Sequence, residues 1–111
     1  MHQSIDIARE MGTNKLVLWL AREGTYIREA KNARESVNLI VEAIYKLLAY
    51  DKEIRILIEP KPNEPMDHDY IPTIGLAIAL AYRTIDEKRV GGLIETAHCI
   101  LAGLDPSDEM A

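Results

Sequence analysis

The chain has 111 residues and a mass of 12.5 kDa, enough for one domain with a modest core and too short for two. Hydrophobic residues make up 48% and charged residues 28%, a balance that argues against a disordered chain. The formal charge of −5 disfavours a nucleic-acid or anionic-membrane partner. The N-terminus lacks the pattern of a signal peptide, and no apolar run approaches the ~18 residues of a membrane helix. A single cysteine, Cys99, excludes an intramolecular disulfide and is typical of the cytoplasm, where we expect this protein.

The first part of the chain predicts a helix, a strand and a second helix. Apolar residues over 5–11 are spaced as in a short helix, and Gly12 is a natural C-terminal stop. Residues 16–20 are apolar without alternation, which predicts a strand covered on both faces. Over 33–50, apolar residues recur every three or four positions and form one helical stripe.

The middle of the chain predicts a second strand and a third helix. Residues 54–58 form the strand, which ends at the proline-rich loop 59–65 because proline lacks the N–H that a sheet ladder needs. Pro72 suits the first position of a helix over 72–84, whose apolar side chains lie on more than one face.

A third strand, 90–94, and one helical turn, 99–101, follow, and Asp105 and Pro106 then form a strong helix start. The predicted strands begin at residues 16, 54 and 90, a spacing typical of parallel strands joined by crossover helices. The sequence therefore predicts an α/β fold with three consecutive βα units, a parallel sheet and a single domain over 1–111.

Polar side chains follow the second and third predicted strands. Glu59 and Lys61 follow the second strand, and Glu95 and His98 follow the third. Adjacent parallel strands end at the same rim, which is where α/β proteins place their sites. Two carboxylates favour Mg²⁺ or Mn²⁺, and the imidazole favours Mn²⁺ or Co²⁺. The lysine could stabilise negative charge on a substrate oxygen.

These residues also have plainer interpretations. Glu59 and Lys61 suit a solvated loop, and His98 suits a residue that caps or flanks a short helix. The run Asp67-His68-Asp69 has the residue types of a metal cluster, but its polar loop predicts a solvated segment. Cys99 is expected to be a small buried hydrophobe.

Several stretches resemble a known family. Residues 59–65, E-P-K-P-N-E-P, match a segment of the xylose isomerase and L-rhamnose isomerase group of metal-dependent sugar isomerases. Residues 19–24 resemble its W-x-x-R-E-G segment. Residues 71–75, 92–98 and 101–105 are similar to segments that follow, so the resemblance covers almost the whole chain.

The resemblance implies a TIM barrel, of which this chain would supply the fourth to sixth strands, since a complete barrel needs ~250 residues. A flavodoxin-like open sheet is the alternative fold. The family interconverts aldoses and ketoses with two divalent metals. By resemblance, Glu59, Glu95 and His98 would ligate metal, Lys61 would polarise the substrate oxygen, and Trp19 would form an apolar wall beside the sugar.

The chain also departs from the family. The remaining metal ligands, a cluster of Asp residues and a His, belong to strands that this chain lacks, and Leu76 stands where the family commonly has His. We therefore expect a truncated or engineered partial barrel, inactive alone, that retains part of a metal site. The alternatives are an isomerase active only when the missing strands complement it, and a metal- or sugar-binding module.

Three strands leave two open edges, which invite pairing with another chain. A second apolar face of helix 72–84, formed by Leu76 and Leu80, favours the same outcome. We expect a homo-oligomer, most simply a two-fold dimer.

Overall fold

Three parallel strands form the centre of the computed structural model, which describes residues 1–20, 32–63 and 69–111. They are β1 (Lys15–Trp19), β2 (Arg55–Glu59) and β3 (Val90–Gly92), hydrogen-bonded in the order β1-β2-β3. The described helices are α1 (His2–Glu10), α2 (Ala33–Tyr50), α3 (Ile74–Tyr82), a 3₁₀ turn (Glu87–Arg89), α4 (Thr96–Leu101) and α5 (Pro106–Met110). The predicted α/β class and parallel sheet are confirmed.

The sheet has the strand order of part of a TIM barrel. Chain order and spatial order coincide along β1, β2 and β3. A flavodoxin-like sheet contains the same order on one side of its switch point, since the direction reverses only there. The three described strands therefore form an open parallel sheet that fits both the predicted partial barrel and the flavodoxin-like alternative.

The hydrophobic core lies on one face of this sheet. Ile56 and Ile58 on β2 are fully buried, and Leu18 on β1 is 8% exposed. The opposite face is open, with Val17 43% and Trp19 50% exposed. The prediction that the first strand is covered on both faces is wrong, because the core helices pack on the Leu18 side and side chains alternate along a strand.

Glycines end two of the helices, at the predicted stop Gly12 and at Gly103. Gly12 has φ +83° and Gly103 has φ +75°, a left-handed conformation that costs other residues more than glycine. Beyond each glycine the chain turns back: Thr13 N–H donates to Ala8 O and Leu104 N–H donates to Cys99 O, both at 2.9 Å. These are Schellman caps, and the predicted stop at Gly12 is confirmed.

Helix α3 differs from its prediction in two ways. It begins at Ile74 because the Thr73 hydroxyl caps it, accepting from Leu76 N–H at 3.4 Å, so Pro72 lies before the cap. Leu80 is 3% exposed, whereas Leu76 is 38% exposed. Leu80 therefore belongs to the core and not to a second apolar face.

Other boundaries shift by a few residues. The first helix starts at His2, β3 ends at Gly92, and α4 begins at Thr96 instead of 99. The predicted start at Asp105 is confirmed, since its carboxylate accepts from Ser107 N–H at 2.9 Å and α5 follows. Within the described ranges, no helix combines the length and apolar character needed to cross a membrane.

Candidate functional site

The carboxyl ends of β1 and β2 place two candidate residues side by side. Trp19 is paired with Glu59 in the parallel register. Because partners in register point to the same face, both side chains lie on the open face of the sheet, at the rim where β1 and β2 end. The Glu59 side chain is 21% exposed, so it is partly withdrawn from water and not part of a freely solvated loop.

Lys61 extends over the indole of Trp19. Its Nζ atom lies 5.5 Å from the ring centroid, within cation–π range. Two backbone hydrogen bonds hold the main chain here: Lys61 N–H donates to Ile71 O, and Asp69 N–H donates to Pro62 O, both at 3.1 Å. These two bonds close the base of the loop that follows β2.

A small pocket, open to solvent, lies at this rim. Its lining residues are Trp19, Leu20, Glu59, Lys61, Asp69 and Ile71. Asp69 is 6% exposed, so the predicted solvated segment is wrong for this residue, because the loop base draws it under the pocket. Asp67 and His68, from the same run, lie outside the described residues, as do Arg22–Gly24 of the resemblance.

Glu95 begins helix α4. Its Oε2 atom accepts a hydrogen bond from His98 N–H at 2.9 Å, which makes Glu95 the N-cap. The capping role expected as the plainer interpretation of His98 therefore belongs to Glu95. Cys99 is 7% exposed, which confirms it as a buried small residue.

The His98 imidazole stands among Pro60, Glu59 and Glu95. Its Nδ1 atom lies 3.0 Å from Pro60 O and 3.5 Å from Glu59 Oε1, and its Nε2 atom lies 3.7 Å from Glu95 Oε2. A carbonyl only accepts, so Nδ1 carries the proton and Nε2 of the neutral ring keeps its lone pair. The two predicted carboxylates and the imidazole therefore lie together, as the strand topology predicts.

The donors at this rim match a divalent cation in type. A metal-binding histidine commonly donates its other N–H to a backbone carbonyl, which is what Nδ1 does toward Pro60. Oxygen and imidazole donors suit Mg²⁺, Mn²⁺ or Co²⁺. Within residues 1–20, 32–63 and 69–111, however, no three His, Cys, Asp or Glu side chains stand in the arrangement of a metal site.

Two contributors to the site were missed in the sequence. The first is the Pro60 carbonyl, which no side-chain motif reveals. The second is Asp69, which the sequence assigns to a solvated loop. Two large apolar residues follow it directly, Tyr70 and Ile71, and they are 6% and 5% exposed. A polar residue joined directly to two core residues tends to be carried inward with them.

The fold and this rim together define a class, the α/β proteins with a barrel-type parallel sheet and polar side chains at its carboxyl end. Comparison with known families agrees. The family model described as xylose isomerase-like TIM barrel matches residues 1–111. The chain belongs to this family.

Proposed function

We propose that this chain forms the part of a metal-dependent aldose–ketose isomerase site that holds one divalent cation and one side of the sugar, and that it does not catalyse isomerisation alone. The observation that carries the proposal is the proximity of His98 to both carboxylates, 3.5 Å from Glu59 and 3.7 Å from Glu95. Membership of the xylose isomerase-like family gives this cluster its chemical context.

Glu95 and the Nε2 atom of His98 would hold the cation, which we propose to be Mn²⁺, Co²⁺ or Mg²⁺, and Glu59, which faces Nδ1, would become the third ligand by turning its carboxylate toward Nε2. Glu95 and His98 sit on one helical turn, and the Glu95 N-cap bond fixes their relative position. When bound, a divalent cation polarises a carbonyl oxygen as a Lewis acid.

Trp19 and Lys61 would contact the sugar. The half-exposed indole offers an apolar surface to the carbon side of a sugar ring or chain. The ammonium of Lys61, held above that surface, would stabilise negative charge that develops on a substrate oxygen. Both line the same pocket as Glu59, so cation and sugar would meet at one rim.

We base the proposed lack of catalysis alone on the donor set. The family resemblance implies two divalent cations, and Glu59, Glu95 and His98 supply enough donors for one cation only, with water completing its shell. We infer that the second cation needs donors beyond these three residues.

A thermal-shift measurement tests the metal part. Mn²⁺ at about ten times its dissociation constant stabilises the folded state by about 1.4 kcal/mol, and we expect the melting temperature to rise accordingly. Glu59→Gln should abolish the rise, whereas Glu10→Gln, at the end of the distant helix α1, should retain it. No shift with Mn²⁺, Co²⁺ or Mg²⁺ would refute the metal site.

An isomerisation assay tests the catalytic part. Purified chain with Mn²⁺ and an aldose such as xylose or rhamnose is expected to yield no ketose above the protein-free control. Ketose formation that disappears in Lys61→Met would overturn the proposed lack of independent activity.

A further inference from the structure

The open face of the sheet is divided into three rows by the strand register. Lys15 is paired with Arg55, Val17 with Leu57, and Trp19 with Glu59. Lys15 and Arg55 are both exposed, so the row at the amino ends of the strands is basic.

The middle row is apolar and flat. Val17 is 43% exposed, and Leu57 is half-buried. Next to them Gly91 brings no side chain, and the Leu57 Cδ2 atom lies 4.0 Å from where a Gly91 Cβ would be. The third row, at the carboxyl ends, carries Trp19 and Glu59, with the Lys61 ammonium over the Trp19 ring and Glu95 nearby.

The order of the three rows distinguishes between two symmetric ways in which the open faces of two copies could pack together. A two-fold axis parallel to the strands would set basic row on basic row, which is repulsive. An axis in the interface and perpendicular to the strands makes the two sheets antiparallel. It sets apolar row on apolar row and the basic row of each copy on the Glu59 row of the other.

We propose that the open sheet face binds a second copy of this chain in that antiparallel arrangement, with Arg55 of each copy facing the partner's Glu59. Such an interface is isologous, since each copy contributes the same surface. Two strands of five residues and β3 with three, about 4.8 Å apart, give a patch of at most roughly 14 by 17 Å. This is small for a permanent dimer, so the association depends on protein concentration.

Sedimentation of the full 111-residue chain from about 10 µM to about 1 mM tests the proposal. The weight-average mass is expected to rise toward that of a dimer. Val17→Lys places two ammonium groups at the centre of the interface and should weaken association by more than about a hundredfold.

Ile78→Lys is the matched control. Ile78 is 45% exposed, close to the 43% of Val17, and lies on α3. This variant should dimerise as the parent chain does, and the melting curve of each variant shows whether it is folded. A monomer at every concentration would overturn the proposal, as would a dimer that Ile78→Lys disrupts and Val17→Lys does not.

Charge reversal tests the orientation. Arg55→Glu and Glu59→Lys should each weaken the dimer about five- to twentyfold, because each change acts twice across the two-fold axis. The double variant should recover most of the loss, whereas Arg34→Glu on the exposed part of α2 should have little effect. Absence of recovery would refute the antiparallel pairing. Val17→Lys and Arg55→Glu leave all three candidate metal ligands in place, so their outcomes do not depend on the metal proposal, whereas Glu59→Lys removes one of those ligands.

Discussion

The Nδ1 atom of His98 lies 3.0 Å from the carbonyl oxygen of Pro60. This contact joins α4 to the segment that follows β2. Because the carbonyl can only accept, the contact sets which ring nitrogen carries the proton.

The first prediction concerns that tautomer. In the metal-free chain, the neutral His98 ring should be protonated at Nδ1, which ¹⁵N chemical shifts distinguish from protonation at Nε2. His2 is exposed and provides an internal comparison in the same spectrum. Predominant Nε2 protonation of His98 would contradict the geometry.

The second prediction concerns Arg89, which ties the 3₁₀ turn to the end of α2. Its guanidinium donates to Ile54 O at 3.0 Å, to Leu48 O at 3.3 Å, and to Asp51 O. Lysine keeps the charge but cannot serve several carbonyls with a planar fork. Arg89→Lys should lower the free energy of unfolding by about 1–3 kcal/mol, measured by urea denaturation.

Arg83→Lys is the control for Arg89. Arg83 donates to the exposed Asn38 side chain at 2.8 Å. Its replacement should change the free energy of unfolding by less than about 0.5 kcal/mol. Equal losses in the two variants would show that Arg89 has no special role.

The third prediction compares two adjacent glycines. A Cβ on Gly92 would lie 2.8 Å from Ile74 Cδ1, whereas the nearest atom to a Cβ on Gly91 is 4.0 Å away. Gly92→Ala should therefore force the end of the Ile74 side chain out of its rotamer and cost about 0.5–1.5 kcal/mol, and Gly91→Ala should be close to neutral. Ile74→Val removes the clashing methyl group, so the double variant should be more stable than the sum of the single effects predicts. Additive losses would argue against the close approach of α3 to β3.

The fourth prediction concerns pH. The Tyr50 hydroxyl donates to the Asp6 carboxylate at 2.8 Å, and this bond raises the pKa of Tyr50 above 10.0. The folded state then holds the phenolic proton more tightly than the unfolded state does. Its contribution to stability is present below pH 10 and is lost as the pH rises through the folded-state pKa.

The free energy of unfolding of the parent chain and of Tyr50→Phe is measured across about pH 9–11.5, the range in which tyrosine ionises. The part of the alkaline decline that comes from Tyr50 should be absent in Tyr50→Phe. Tyr82→Phe is the control, because Tyr82 is 75% exposed. Identical pH profiles for the parent chain and Tyr50→Phe would contradict the prediction.

The sequence predicts local structure well where one periodic signal is complete. The helix over 33–50 is confirmed at both ends, because an unbroken apolar stripe follows the side-chain cap of Asn32, whose oxygen accepts from Glu35 N–H. On the same helix, Glu42 and Lys46, four residues apart, form an ion pair of 2.7 Å.

Coverage of a strand is harder to predict. An apolar run such as 16–20 has the same composition whether one or two layers pack on it. The exposed Val17 and Trp19 depend on elements elsewhere in space. Burial of Asp69 and the bond from His98 to Pro60 O depend in the same way on the path of a loop, which local residue types do not determine.

The two hydrogen bonds at the base of the loop after β2 have a consequence for engineering. Lys61 N–H to Ile71 O and Asp69 N–H to Pro62 O bring the entry and exit of the loop to one point. The base therefore holds the backbone of Lys61 at the rim. A designer could replace the residues between 63 and 69 with a segment of another length or chemistry and present new groups to the rim, while the two backbone bonds keep its entry and exit together.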